Sequence, residues 1–210
     1  MTLLLNFQFD SMLEEKREKF KKISNWTGNI FSKLGLTSNQ YTLISLVFAV
    51  FAFCFLIKES LILALIFFLS AALLDFIDGA VAKFLQKETK KGAYLDTICD
   101  RYVEGILLLG FLFLPLPDFF LPAKFWIFLA FFGSLMTTYA KATAKEKELI
   151  GRELKKGLLG RPERIILISI AIFLGILNFS WIIYPLVILA IFSNITALQR
   201  ILLALKPSKD

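Results

Sequence analysis

The stretch DFIDGAVAKFLQKETKKGAYLDTICD, residues 75–100, places four aspartates at the ends of two long apolar runs. Asp75 and Asp78 close one run, and Asp96 and Asp100 open the next. On helices, residues three or four apart project from one face on successive turns. A single connection joins the two runs, so both pairs lie at one membrane level and can converge. Four ionised carboxylates at that spacing repel one another, and divalent cations relieve the repulsion. All-oxygen donors suit hard ions such as Mg²⁺ or Mn²⁺. The plain alternative is a set of helix-end polar residues facing water, but ionisable residues at membrane depth are functional candidates by default.

The rest of the chain sets that stretch in a membrane. Of the 210 residues, 57% are hydrophobic and 23 are Phe, and the mean hydropathy is +0.70. Apolar runs of roughly 20 residues, the length that crosses a bilayer as helix, recur along it. The expectation is an all-α polytopic membrane protein with six transmembrane helices, at 40–57, 60–82, 94–116, 122–144, 163–180 and 182–204. An interfacial amphipathic helix precedes them. Within residues 11–34, Leu13, Phe20, Ile23, Trp26, Ile30 and Leu34 mostly fit one helical stripe opposite Lys16, Lys19, Lys21 and Lys22. The organisation expected is a cytosolic N-terminal segment (1–38), a six-helix membrane domain (39–205) and a short tail (206–210). The apolar opening MTLLLNFQFD is short and follows no charged segment, so a cleaved signal peptide is not expected.

Composition also excludes chemistry. There is no His, which removes His-based acid–base catalysis and His metal ligation, and leaves carboxylates with Lys and Arg. Cys54 and Cys99 are far apart and read as small core residues. Lys and Arg set the orientation: of 24, all but Lys58 and Lys124 fall in the N-terminal segment, the second and fourth connections or the C-terminal end. By the positive-inside rule both termini and the aspartates face the cytosol, in a multi-pass cytoplasmic-membrane protein. No nucleic-acid partner is expected.

Around the aspartates, Gly79 lets backbone approach a ligand and Ala82 is small on the same face. Lys83 supplies a cation for phosphate oxygens, and Gly92 leaves space one turn before Asp96. Two carboxylate pairs, two glycines and a cation describe a pocket for a metal-bound pyrophosphate.

These residues resemble the CDP-alcohol phosphotransferase family, whose pattern is D-x2-D-G-x2-A-R-x8-G-x3-D-x3-D. Here it reads Asp75, Asp78, Gly79, Ala82, Lys83, Gly92, Asp96, Asp100, with every spacing kept and Lys83 in place of the arginine. Lys keeps the charge and loses the planar two-pronged grip on phosphate. The resemblance implies six spans and two divalent cations, Mg²⁺ or Mn²⁺, held by Asp75, Asp78 and Asp96 with Asp100 contributing. Asp96 and Asp100 are then the catalytic residues, with Asp100 as general base. Gly79, Ala82, Lys83 and Gly92 would line the CDP site. Residues 37–42, TSNQYT, are similar to the family's P-N-x-[LIV]-T opening of the first span and add Asn39 and Thr42 there. As helix-start residues, Asn39 and Thr42 are equally well explained as caps. The implied reaction moves a lipid-linked phosphoryl group from CDP-diacylglycerol or CDP-archaeol to an alcohol, releasing CMP.

Three further segments bear on the alcohol. TYAKATAK (138–145) puts Thr138 and Lys141 on one face, GLLGRPER (157–164) does the same for Arg161 and Arg164, and TALQR (196–200) ends on Arg200. Cations returning to one level make a second anion site, against the alternative of snorkelling loop charge. These segments look like the phosphatidylinositol-phosphate synthase branch, with its [ST]-Y-x-[RK]-A, E-R-x-E-R and closing Q-R; Gly160 stands where that branch often has its first glutamate. The expected acceptor is inositol phosphate or a similar anionic alcohol, with glycerol 3-phosphate as the nearest competitor. A homodimer is expected from the resemblance, with Gly105, Gly110, Gly133 and Ser134 as small residues permitting close helix approach. The rival readings are a UbiA-type prenyltransferase, against which six spans and D-x2-D-G argue, and a cation transporter, which would want its acids nearer the midplane.

Overall fold

The computed structural model describes Glu18 and residues 21–149 and 157–206. Among these the secondary structure is helical, without strands. The first helix, α1, covers 21–32; then come α2 (Ser38–Ile57), α3 (Leu61–Phe84), α4 (Lys90–Phe111), α5 (Ala123–Glu146), α6 (Arg161–Leu177) and α7 (Ile183–Ala204). A 3₁₀ turn, Phe179–Ile182, leads into α7.

Local chemistry sets the ends. Thr37 and Gln40 form a reciprocal box at the start of α2: the Thr37 N–H donates to Gln40 Oε1 at 2.8 Å, and the Gln40 N–H to Thr37 Oγ1 at 3.4 Å. Thr89 Oγ1 accepts the Gly92 N–H at 3.0 Å and starts α4 about one turn before the expected 94. Pro162 sits in the first turn of α6, where its missing N–H costs no helix bond. Gly35, at φ +72°, ends the α1 region in the left-handed conformation.

Among the described residues four helices are long and apolar enough to cross a membrane: Ser38–Ile57, Leu61–Phe84, Ala123–Glu146 and Phe179–Ala204. Two of the six expected spans fall short on that criterion. The stretch of α4 from Lys90 to Glu104 also holds Lys91, Asp96, Asp100 and Arg101, and α6 has 17 residues. Large side chains face outward along the apolar helices (Leu43, Phe51, Ile66, Leu73, Phe128, Phe173), while Ala49, Ala52, Ala64, Ala130, Ala171 and Ala190 are fully buried. Small residues inside and large apolar ones outside is the packing of helices in lipid, where close backbone approach replaces the hydrophobic drive. The chain is a membrane protein.

The described residues fall into two compact units. The first takes those of Met1–Leu46 and Ala71–Cys99. Its core is Tyr41, Ile77 and Val81, with Phe31, Leu36 and Leu74 packed against them, and the Tyr41 hydroxyl donates to the Phe31 carbonyl at 2.9 Å. α1 lies on α3 at Gly28, and Ser24 and Thr27 of α1 are buried. A Cβ on Gly28 would come within 2.5 Å of the Ala80 carbonyl oxygen, so only glycine permits this approach. Ile23, Trp26, Ile30 and Leu34 of the expected stripe remain exposed, as do Lys21 and Lys22; Leu13, Lys16, Lys19 and Phe20 lie outside the described residues.

The second unit takes those of Val47–Ser70 and Asp100–Asp210. There α7 packs against both α5 and α6. The small residues named for dimer contacts have neighbours within this unit. A Cβ on Gly105 would meet Phe131, one on Gly110 would meet Leu56, and one on Gly133 would meet Asn194. Ser134 Oγ lies 3.4 Å from Ser193 Oγ. Cys54 is half-buried and Cys99 buried, and neither is in a disulfide.

Candidate metal and phosphate site

In the first unit three of the four aspartates converge. Asp75, Asp78 and Asp96 each offer a carboxylate oxygen within 4.8 Å of the others. α3 presents the first two one turn apart, and α4 brings the third. Asp78 is buried, 4% exposed, and the other two are half-buried. Three carboxylates this close, with oxygen donors alone, fit a hard divalent cation. Thr42 supports one of them: its hydroxyl donates to Asp78 Oδ2 at 2.6 Å, with the Ser38 carbonyl at 3.1 Å as the other acceptor. At 2% exposed, Thr42 acts on the site through that carboxylate.

The surroundings leave room for a ligand. A Cβ added at Gly79 would meet nothing within 4 Å. At Gly92 it would stand 3.1 Å from Thr89 Oγ1 and 3.3 Å from Asn39 Oδ1, so Gly92 and the exposed Asn39 are neighbours. Ala82 is half-buried and Lys83 is exposed in the last turn of α3.

Asp100 belongs to the second unit, where it pairs with Arg161. One turn along α4, Glu104 pairs with Arg101, and its Oε1 lies 2.9 Å from Arg164 Nε. Arg164 also donates from Nη1 to the Thr137 hydroxyl at 2.9 Å, while that hydroxyl donates to the Ser134 carbonyl at 2.8 Å. Arg200 donates to the Thr137 carbonyl at 2.6 Å. A chain of contacts thus runs from Glu104 through Arg164 and Thr137 to Arg200. Buried polar groups of this kind are stable only when paired, and here opposite charges meet inside apolar helices.

Of the five residues expected at an acceptor phosphate, Arg161 and Arg200 are half-buried and reach solvent. Arg164 is 3% exposed, with its guanidinium held by Glu104 and Thr137. Thr138 and Lys141 are half-buried on α5. Sequence reasoning missed Glu104 and Thr137. An ionisable residue inside an apolar run, one turn beyond Asp100, was the available signal for Glu104. Thr137 gave none, because only the fold distinguishes it from Thr138.

Comparison with known proteins matches residues 36–199 to the CDP-alcohol phosphatidyltransferase family. An archaetidylinositol phosphate synthase of Pyrococcus horikoshii is 33% identical over 90% of this chain and 95% of its own length. A crystal structure of Mycobacterium tuberculosis phosphatidylinositol phosphate synthase with CDP-DAG bound aligns with TM-score 0.75 at 23% identity, over 90% of this chain and 96% of that one. The same enzyme with manganese and citrate aligns with TM-score 0.76 at 24% identity, over 89% and 90%. At such identities these structures establish a shared fold.

Proposed function

The chain belongs to the CDP-alcohol phosphatidyltransferase family, and from that premise we propose that it transfers a lipid phosphoryl group from a CDP-lipid to inositol phosphate, releasing CMP. The observation that carries the reaction class is the convergence of Asp75, Asp78 and Asp96 at the motif's own spacing. Divalent cations bound there would neutralise the pyrophosphate and polarise the attacked phosphorus. Gly79, Ala82, Lys83 and Gly92, with Asn39, form the CDP side. Asp100 receives the acceptor's proton as the acceptor oxygen bonds to the β-phosphorus and the bond to the bridging oxygen breaks, with CMP leaving. The names of the archaeal relative and of the mycobacterial structure support an inositol phosphate acceptor; diacylglycerol and archaeol lipids fit the site chemistry equally.

An anionic acceptor is further supported by Arg161 and Arg200, two cations within reach of solvent in one unit. A neutral polyol needs hydrogen-bonding groups but no such charges, and each charge-assisted contact contributes roughly 1.5–3 kcal/mol. The deciding assay supplies purified protein with CDP-lipid and Mg²⁺, adds inositol 1-phosphate, glycerol 3-phosphate, free inositol or serine, and measures CMP. Inositol 1-phosphate should react fastest, and Arg200→Ala should raise its KM by about tenfold or more. Fastest reaction with free inositol or serine sinks the anionic-acceptor reading.

In the membrane we place six spans, with α4 and α6 completing the four apolar ones. Their charges are paired, Asp100 with Arg161 and Glu104 with Arg164, which lowers the cost of carrying them at membrane depth. Both termini and the site then face the cytosol, and α1 lies in the interface on Ile23, Trp26, Ile30 and Leu34. Reporters fused to either terminus should both read cytosolic; opposite sides would require an odd number of spans. The domain limits 1–38, 39–205 and 206–210 follow from this arrangement. A homodimer rests on family resemblance, since the glycines expected to mediate it have neighbours within the chain, and crosslinking in native membranes that yields only monomer would refute it.

A further inference from the structure

Residues 157–160, which lead into α6, form no helix of their own, and side chains of α7 take two of their backbone N–H groups. The Leu159 N–H donates to Thr196 Oγ1 at 3.0 Å, and the Leu158 N–H donates to Gln199 Oε1 at 3.2 Å. The fully buried Thr196 hydroxyl in turn donates to the Phe192 carbonyl at 2.8 Å, so it is used both as donor and as acceptor. The approach is close. A Cβ on Gly157 would stand 2.6 Å from Thr196 Cγ2 and 3.6 Å from Arg200 Nε. Thr196 and Arg200 are one turn apart on α7, so the segment lies against the part of α7 that carries Arg200. Arg161 opens α6 directly after it. All of these residues belong to the second unit.

We propose that Thr196 and Gln199 are positioning residues for the acceptor: by fastening residues 157–160 to α7, they hold Arg161 and Arg200 at the separation that binds the acceptor's phosphate. The proposal rests on the phosphate-acceptor reading above and adds what sets the spacing of its two cations. Like charges repel, so two arginines keep a fixed spacing only where the framework imposes it. Arg200 is fixed on its own helix, with one N–H on the Thr137 carbonyl. Arg161 sits on another. Arg164 ties the first turn of that helix to Glu104 of α4 and Thr137 of α5. The bonds from Thr196 and Gln199 tie its entry to α7. Arg161 keeps its pair with Asp100 throughout, since a guanidinium has five N–H donors and can serve two anions. Cations placed beforehand bind an anion without the cost of ordering them on arrival.

The test measures CMP release by the full chain in vesicles, with inositol 1-phosphate, CDP-diacylglycerol and Mg²⁺ varied in turn. Thr196→Val keeps the shape and deletes the hydroxyl. It should raise KM for inositol 1-phosphate about tenfold, the effect of one lost hydrogen bond. KM for CDP-diacylglycerol and the Mg²⁺ dependence should stay at their wild-type values. Gly157→Ala, which drives a methyl into Thr196 Cγ2, should do the same. Thr196→Ser keeps the hydroxyl and removes Cγ2, so it should keep the wild-type KM and restore it in Gly157→Ala/Thr196→Ser. A merely weakened fold would lower kcat and would not split the two KM values. An unchanged KM for inositol 1-phosphate in Thr196→Val overturns the proposal, and so does a Gly157→Ala defect that Thr196→Ser leaves in place. If Thr196→Val does not fold, Gly157→Ala with and without Thr196→Ser decides in the same way. Wild type that reacts fastest with free inositol or serine overturns the phosphate-acceptor reading and this proposal with it. Wild type that prefers inositol 1-phosphate, beside a Thr196→Val variant with unchanged KM, overturns this proposal alone.

Discussion

Replacing Asp75, Asp78 or Asp96 with alanine should lower CMP release on the order of a thousandfold or more, because each removes one of three convergent carboxylates that can hold a divalent cation. The loss should not be equally recoverable. Asp75 and Asp96 are half-buried, whereas Asp78 is buried and held by the Thr42 hydroxyl. Raising Mg²⁺ should therefore rescue part of the rate in Asp96→Asn and little of it in Asp78→Asn. Thr42→Val, which deletes the hydroxyl at constant shape, should move the Mg²⁺ dependence of activity to about tenfold higher metal, the usual size of an outer-shell effect. Its rate at saturating metal should fall far less. Near wild-type turnover in any of the three alanine variants would remove that residue from the metal site.

The second large effect concerns stability and runs through Glu104. This carboxylate is 8% exposed and pairs with both Arg101 and Arg164. Deleting it strands two guanidinium groups among apolar helices, and breaking a buried pair from one side costs about 3–5 kcal/mol. That is a large part of the roughly 5–15 kcal/mol by which folded proteins are stable. Arg164→Met should cost distinctly less, because Glu104 then keeps Arg101 as partner and Met fills the space of the aliphatic stem. Thermal unfolding of the purified protein in detergent should rank wild type above Arg164→Met, and both above Glu104→Ala. If Arg164→Met unfolds first, Glu104 is not the shared anchor of this cluster. A double-mutant cycle between the two positions should show a coupling well beyond additivity, since they are in direct contact.

The first of these effects was readable in the sequence, and the second was not. The aspartate spacing at 75, 78, 96 and 100 is a helical periodicity carried by α3 and α4, and three of the four carboxylates converge. That long apolar runs recur was equally plain, because hydropathy depends on composition within a window and not on partners. Boundaries were less so. α4 starts at Lys90 because the Thr89 hydroxyl caps it, and it stops at Phe111, short of the expected 116. The charged N-terminal stretch of α4 and the 17-residue α6 also leave four helices among the described residues, not six, that meet the length and hydropathy of a span unaided.

The sequence by itself determined the family, the membrane setting and the carboxylates that converge, because all three are written in local spacing and composition. The tertiary structure decided what each charge is for. Asp100 pairs with Arg161, and Arg164 is paired with Glu104 and hydrogen-bonded to Thr137. Positive-inside counting could not separate Arg161 from Arg164, three residues apart on one helix, since both are cations at the same end of it. Only packing assigns one to a buried carboxylate and hydroxyl and leaves the other within reach of solvent. Opposite charges in an apolar interior must find one another whatever their separation along the chain, and that choice of partner is a property of the fold.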